Sequence, residues 1–83
     1  MKRSVKELKG YTLQAIDGEK GKVKNFLFDE VEWTIRYLEA DLGNFFSEKR
    51  VLIPVEFLGE PDWEEKHFPV QLTVELIKNA PEI

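Results

Sequence analysis

Apolar and polar residues alternate along much of the chain, which is the pattern of β-strands that bury one face. The alternation is clearest over residues 11–16 and 49–58. Further strands are predicted over 22–29, 33–42 and 64–71, with turns or loops at 17–21, 30–32, 43–48 and 59–62. Short strands at this regular spacing predict a mainly β fold, a small antiparallel β-barrel of five to six strands with short terminal helices.

The short helices are predicted at the two ends of the chain. Ser4 and Glu7 have the spacing of a capping box, which predicts one helical turn over residues 5–9. Thr73 can cap a second helix over residues 74–79. We expect the apolar residues of this second helix to cover the mouth of the barrel.

The strand over residues 22–29 changes its apolar parity part-way along. Val23 is out of phase with Phe26 and Phe28. A β-bulge inserts one extra residue and therefore restores the phase. A bulge near Lys24 and Asn25 would turn all three apolar side chains inward.

The strand over residues 33–42 is apolar on both faces, so both faces must be covered. One face fills the barrel, and the other requires a helix or a partner. We expect the second set to point outward. The first set is Trp33, Ile35 and Tyr37, and the second is Leu38, Ala40 and Leu42. In the strand that follows, Pro54 cannot donate a hydrogen bond, which predicts an edge position or a bend.

The length of 83 residues predicts one domain over residues 1–83, although the chain could also be one half of a longer tandem protein. No apolar run approaches the length of a membrane span, and no apolar segment follows the basic start. We therefore expect a cytoplasmic protein. With no cysteine for disulfides, a core this small gains most from association with a second copy.

Charge is distributed unevenly along the chain. Residues 1–24 hold seven basic and three acidic side chains, whereas residues 25–83 hold five basic and thirteen acidic ones. Chance clustering on a solvated surface is one interpretation. The other is a dipolar molecule whose basic end meets an acidic partner or a second copy. The net charge of −4 disfavours general nucleic-acid binding.

Candidate interface residues are apolar side chains that the fold leaves exposed. Phe45 and Phe46 are adjacent aromatic residues in a loop, so at least one is expected at the surface unless both fold back onto the barrel. Trp63 follows a turn and either packs over a barrel end or contacts a partner. Leu38 and Leu42 complete the predicted interface because they belong to the outward set.

A row of lysines is the candidate site for phosphate. Lys20, Lys22 and Lys24 alternate, so an unbulged strand presents them as one basic stripe. Such a stripe could contact the phosphates of a nucleic acid. It could equally protect a strand edge from pairing with another chain, which is the interpretation we favour.

We predict no catalytic residue, no bound metal and no cofactor. His67 is the only histidine, and no catalytic signature accompanies it in the sequence. Asp29, Glu30 and Glu32 form an acidic turn without the ligand spacing of a calcium loop. A solvated turn is the simpler interpretation, and a weak cation site is the alternative.

The motifs together resemble the PRC-barrel domain, a family named for the H subunit of the photosynthetic reaction centre. The resemblance covers nearly the whole chain. It is carried by Ser4–Gly10, Asp17–Val23 with its glycines, Phe28–Asp29, Trp33–Leu38, Asp41–Asn44, Arg50–Pro54 and Leu72–Lys78. These motifs are structural, so they are more specific for fold than for activity.

The resemblance implies a stand-alone, non-enzymatic module for protein interaction or assembly. Family members occur in the H subunit and in the C-terminal domain of the ribosome maturation factor RimM, and both contact other proteins. Self-association as a homodimer is the first hypothesis for this chain. An RNA- or ribosome-associated module and an accessory domain of a photosynthetic complex are the alternatives.

Overall fold

Five β-strands and one short α-helix form the fold in the computed structural model, which describes residues 5–43 and 48–82. The strands are β1 (Thr12–Ala15), β2 (Gly18–Asp29), β3 (Thr34–Asp41), β4 (Arg50–Pro54) and β5 (His67–Pro69), and the helix is α1 (Val74–Lys78). Single 3₁₀ turns lie at Val5–Leu8 and Val55–Phe57. The predictions of a mainly β fold and of short terminal helices are confirmed.

The strands form one sheet in the order β4-β3-β2-β1-β5. The pairs from β1 to β4 are antiparallel, but β1 and β5 run parallel, which the prediction of an antiparallel barrel did not include. The described strands do not close the sheet through a β4–β5 ladder. The segments that follow them make the contact instead. Leu58 bridges Val70, and the Gly59 N–H donates to the Pro69 carbonyl at 2.9 Å.

The early end of β4 explains why the barrel stays open. Pro54 has no N–H to continue the ladder, and the chain turns at once into the 3₁₀ turn at Val55–Phe57. The strand predicted over 49–58 is therefore shorter, but its edge position is as predicted. The C-terminal segment covers this edge, because the Leu52 N–H donates to the Pro81 carbonyl at 2.8 Å.

The turn predicted over residues 17–21 is wrong. The chain reverses at Ile16 and Asp17, and Ala15 pairs directly with Gly18, the first residue of β2. Gly21 lies inside β2 with φ of +84°, close to a register shift between β1 and β2. This second glycine therefore serves an irregularity within the strand and not the turn itself.

The bulge predicted in β2 is present. The register with β3 shifts between Val23 and Asn25, which leaves Lys24 as the extra residue. Val23 and Phe26 are both buried, as the bulge predicts. Phe28 was expected to follow them inward, but it is about half exposed because it lies near the end of β2, beyond the core.

The inner face of β3 differs from the one predicted in the part of the strand after Ile35. Leu38 and Ala40 are fully buried. Leu38 pairs with Phe26 on β2 and with Ile53 on β4, and both partners are also buried. The prediction that Leu38, Ala40 and Leu42 point outward is therefore wrong, because a register shift at Arg36 changes the phase of the strand after Ile35.

The C-terminal helix α1 packs against the core as predicted. Thr73 Oγ1 accepts a hydrogen bond from the Leu76 N–H at 3.2 Å and so caps the helix. The Asp17 carboxylate accepts another from the Val74 N–H at 2.8 Å, which ties the β1–β2 turn to the start of α1. Ile77 is fully buried in the core.

Candidate interaction surface

The predicted interface residues do not assemble into one described surface. Leu38 lies in the core and is inaccessible to a partner while the domain is folded. Leu42 is half-buried and packs against the core. Phe45 and Phe46 lie outside the described residues, so their role stays a prediction.

Trp63 packs against the fold itself, which is the simpler of the two predictions made for it. It is half-buried and packs against the core cluster. Its ring meets Tyr11 edge-on, with centroids 6.0 Å apart and planes at 73°. Aromatic pairs favour this geometry. This packing explains the position of Trp63 without invoking a second protein, although contact with another protein stays a prediction.

The lysine row does not form the regular stripe that phosphate binding would use. Register shifts on both sides of β2 interrupt its alternation. Lys22 and Lys24 are exposed, whereas Lys20 is half-buried. Lys20 and Lys22 line an open pocket together with Glu19 and Asp41. The two carboxylates offset the two ammonium charges there, which weakens attraction for an anion.

Exposed apolar side chains gather instead at the end of the β2–β3 hairpin. Val31 and Trp33, in the turn between the strands, are 89% and 77% exposed. Together with two further exposed apolar residues, they form what we call the hairpin patch. Its members are Val31, Trp33, Tyr37 and Val55. Several exposed apolar residues near one hairpin are typical of contact surfaces.

Pairing across the sheet brings two members of the hairpin patch, Tyr37 and Val55, close together. Tyr37 on β3 lies opposite Leu27 on β2 and opposite Pro54 on β4. Val55 directly follows Pro54 in the chain. Tyr37 faces away from the core because Leu38, its neighbour in the strand, points inward.

The turn that carries Val31 and Trp33 is held by hydrogen bonds to Asp29. The Asp29 carboxylate accepts from the N–H groups of Val31 and Glu32, at 2.8 and 3.3 Å. The Asp29 carbonyl accepts from the Trp33 N–H at 2.7 Å. The backbone beneath both exposed side chains is therefore ordered.

Arg36 holds the same turn through side-chain hydrogen bonds. Its Nε and Nη2 donate to the Asp29 carboxylate at 3.1 and 2.9 Å, and Nη2 also meets the Glu32 carboxylate at 3.0 Å. The hydrogen bonds from Arg36 are the largest cause that lowers the pKa of Asp29, and those from the Val31 and Glu32 amides follow. The guanidinium plane is fixed as a result.

Trp33 adopts a backbone conformation that bulky residues rarely adopt. Its φ is +54°, in the left-handed region. For a large side chain this is a genuine outlier, and such strain clusters at functional sites. A strained and highly exposed tryptophan on an ordered turn favours a role in contact over a role in folding.

A groove lies beside the exposed turn on the same surface. It is lined by Arg36, Tyr37, Pro54, Val55 and Glu56. Aromatic and aliphatic groups form part of the lining, and the fixed guanidinium forms another part. The groove is therefore suited to a flat apolar side chain rather than to a polar metabolite.

Comparison with known families agrees with the open, barrel-like sheet. The sequence model of the PRC-barrel domain family matches residues 2–77. The chain belongs to the PRC-barrel domain family. A search of curated proteins found no match. PRC-barrel domains are generally non-catalytic modules.

The titratable groups of this PRC-barrel domain do not assemble into a metal centre among the described residues. Two of the acidic turn's carboxylates, Asp29 and Glu32, are engaged by Arg36. His67 is half-buried on β5, and its Nε2 lies 3.3 Å from the Glu19 carboxylate. None of the helices in the described ranges has the length and apolar character needed to cross a membrane.

Sequence reasoning missed the hairpin patch of this PRC-barrel domain for two reasons: it interpreted the turn over 30–32 only as acidic, and it assigned Trp33 and Tyr37 to the inner face of the strand over 33–42. Val31 lies between Glu30 and Glu32, and Trp33 follows. Turns lie at the surface. An apolar residue in a predicted two- or three-residue turn is therefore exposed by position alone, and this signal could have identified Val31.

Proposed function

We propose that this PRC-barrel chain is a non-enzymatic protein-interaction module that self-associates through the hairpin patch. The observation that carries the proposal is the exposure of Trp33 and Val31 on a turn that Asp29 and Arg36 hold rigid. A preorganised contact residue loses little conformational entropy on binding. Tryptophan is also among the residues that dominate interface energetics.

The energy available from Trp33 is substantial but insufficient alone. A buried aromatic side chain covers about 150–250 Å². At ~25 cal/mol/Å², covering the exposed 77% of Trp33 contributes roughly 3–5 kcal/mol. Association costs about 4–15 kcal/mol of translational and rotational freedom. Other members of the hairpin patch must therefore join the contact.

The alternative of an RNA- or ribosome-associated module has weaker support. It depends on a basic stripe, and β2 is irregular on both sides at the lysines. Glu19 and Asp41 share the pocket that Lys20 and Lys22 line. We therefore rank protein contact first and treat salt-sensitive RNA binding as the rival outcome.

Replacing Trp33 with asparagine tests the proposal cleanly. Asparagine tolerates the left-handed region, so Trp33→Asn removes the indole without adding backbone strain. We expect the concentration-dependent sedimentation of the wild type to be lost, while the unfolding midpoint at low protein concentration stays the same or rises. Ile16→Asn is the matched control, because Ile16 is 67% exposed but lies on the β1–β2 turn.

Three outcomes would contradict the proposal. The first is a wild-type chain that sediments as a monomer at all accessible concentrations. The second is equal self-association in wild type and Trp33→Asn. The third is loss of association in both Trp33→Asn and Ile16→Asn, because the effect would then not depend on position.

A further inference from the structure

We infer that the groove beside the hairpin turn receives Trp33 of a second copy of this chain. The inference rests on the proposed function and adds the receptor for its main contact residue. The groove is lined by Arg36, Tyr37, Pro54, Val55 and Glu56. The partner is thus a second copy, and its contacting group is an indole.

The first argument is self-complementarity. A two-fold dimer uses the same patch on both copies, so the patch must hold both the inserted group and its recess. Trp33 immediately precedes β3, and Tyr37 of the groove lies four residues further on. At about 3.3 Å per residue a regular strand would separate them by ~13 Å, and the extra residue Arg36 makes the distance shorter than that. A two-fold axis near the midpoint places each Trp33 over the other copy's groove and inserts both indoles at once.

The second argument is the chemistry of the groove. An indole packs well against the ring of Tyr37 and the aliphatic surfaces of Pro54 and Val55. Tryptophan is also the best aromatic acceptor for a cation–π contact. The guanidinium of Arg36 is already held by its hydrogen bonds to Asp29 and so presents a fixed plane.

The third argument concerns charge. Carboxylates of Glu30, Glu32 and Glu56 surround the patch, and Arg36 is the basic residue of the turn and groove. A two-fold contact brings these like charges from both copies together. Salt screens that repulsion, so we expect added salt to strengthen self-association. Phosphate contacts through lysines would show the opposite dependence.

A complementation experiment tests the pairing of Trp33 with the groove. Trp33→Asn removes the inserted group and keeps the groove, whereas Val55→Gln alters the groove and keeps the indole. Both changes are uncharged, so the repulsion is unaltered. Each variant alone loses both contacts of the dimer, and truncating a central aromatic residue weakens such a contact by at least about tenfold.

An equimolar mixture of the two variants retains one intact contact of the original two. We therefore expect its dissociation constant, measured by sedimentation, to lie near the geometric mean of the wild-type and single-variant values. Tyr37→Ala is a second groove variant and should complement Trp33→Asn in the same way. Circular dichroism melts at low concentration establish that each variant is folded.

The outcomes separate the inference from the proposed function. If Trp33→Asn dissociates but its mixture with either folded groove variant is no tighter than the variants alone, the groove is not the receptor. The proposed function survives that result. If the wild type is monomeric, or Trp33→Asn associates normally, the proposed function fails and the inference fails with it.

Discussion

Gly21 is the position where a single added methyl group should disturb the sheet most. It lies inside β2 with φ of +84°. A Cβ there would come within 2.4 Å of Leu42 Cδ2 and 2.9 Å of the Asp41 carbonyl oxygen. The Leu42 side chain can rotate away, but the carbonyl belongs to the backbone of β3. Gly21→Ala must therefore shift the end of β3.

Gly10 separates the two causes of the expected loss. Its φ is +88°, close to that of Gly21, but a Cβ at Gly10 would meet nothing within 4 Å. The left-handed conformation costs an L-residue about 1–2 kcal/mol, and this cost applies at both positions. Overpacking adds about 1–3 kcal/mol at Gly21 alone. We expect losses of about 2–5 kcal/mol for Gly21→Ala and about 1–2 kcal/mol for Gly10→Ala.

Urea unfolding followed by circular dichroism measures the difference. A domain of 83 residues has a total stability of roughly 4–12 kcal/mol, so the Gly21→Ala loss is a large share of it. The midpoints of the two variants should differ by roughly 1 M urea. Gly21→Ala should cost less in a Leu42→Ala background than in the wild type, but still more than Gly10→Ala, because the Asp41 carbonyl remains. Equal midpoints for Gly10→Ala and Gly21→Ala would refute the steric account.

Two further predictions concern the helix and the acidic turn. Ile77→Ala should lower the free energy of unfolding by about 2–5 kcal/mol because Ile77 is fully buried. Leu76→Ala, on the exposed side of the helix, should lower it by under about 0.5 kcal/mol. Similar shifts of the thermal midpoint for both variants would contradict the assigned helix face. The pKa of Asp29 in the folded chain is below its usual 3.8, chiefly because Arg36 donates hydrogen bonds to its carboxylate. The ionised Asp29 therefore stabilises the fold at pH values above its unfolded pKa. This contribution is lost as the pH falls through the folded pKa. Urea midpoints of Asp29→Asn should therefore lie below wild type at neutral pH and converge with it in acid; a gap that is constant with pH would exclude the charge.

Local patterns predicted the strands because each one buries a single face. The alternation over residues 11–16 puts Tyr11, Leu13 and Ala15 on one face of the strand, and all three are buried. The parity change in β2 predicted its bulge at Lys24. The parallel pairing of β1 with β5 was beyond this reasoning, because it joins residues about fifty positions apart and leaves no local periodicity.

A change in the phase of apolar positions also explains the wrong prediction for β3. The same phase change accounts for the exposure of Tyr37 in the hairpin patch. The apolar positions of this strand change phase between Tyr37 and Leu38. A bulge produces such a phase change, and the register with β2 does shift here, since Leu27 pairs with Tyr37 while Phe28 pairs with Ile35.

Arg36 is the extra residue of this second bulge. The insertion allows Ile35 to pack against the core on the same side as the buried Leu38, and Tyr37 is left facing outward. The guanidinium of Arg36 reaches Asp29 and Glu32 across the turn. The irregularity that directs Leu38 into the core therefore also fixes the turn that exposes Trp33. A substitution that regularised β3 would be expected to disturb the core and the contact surface together.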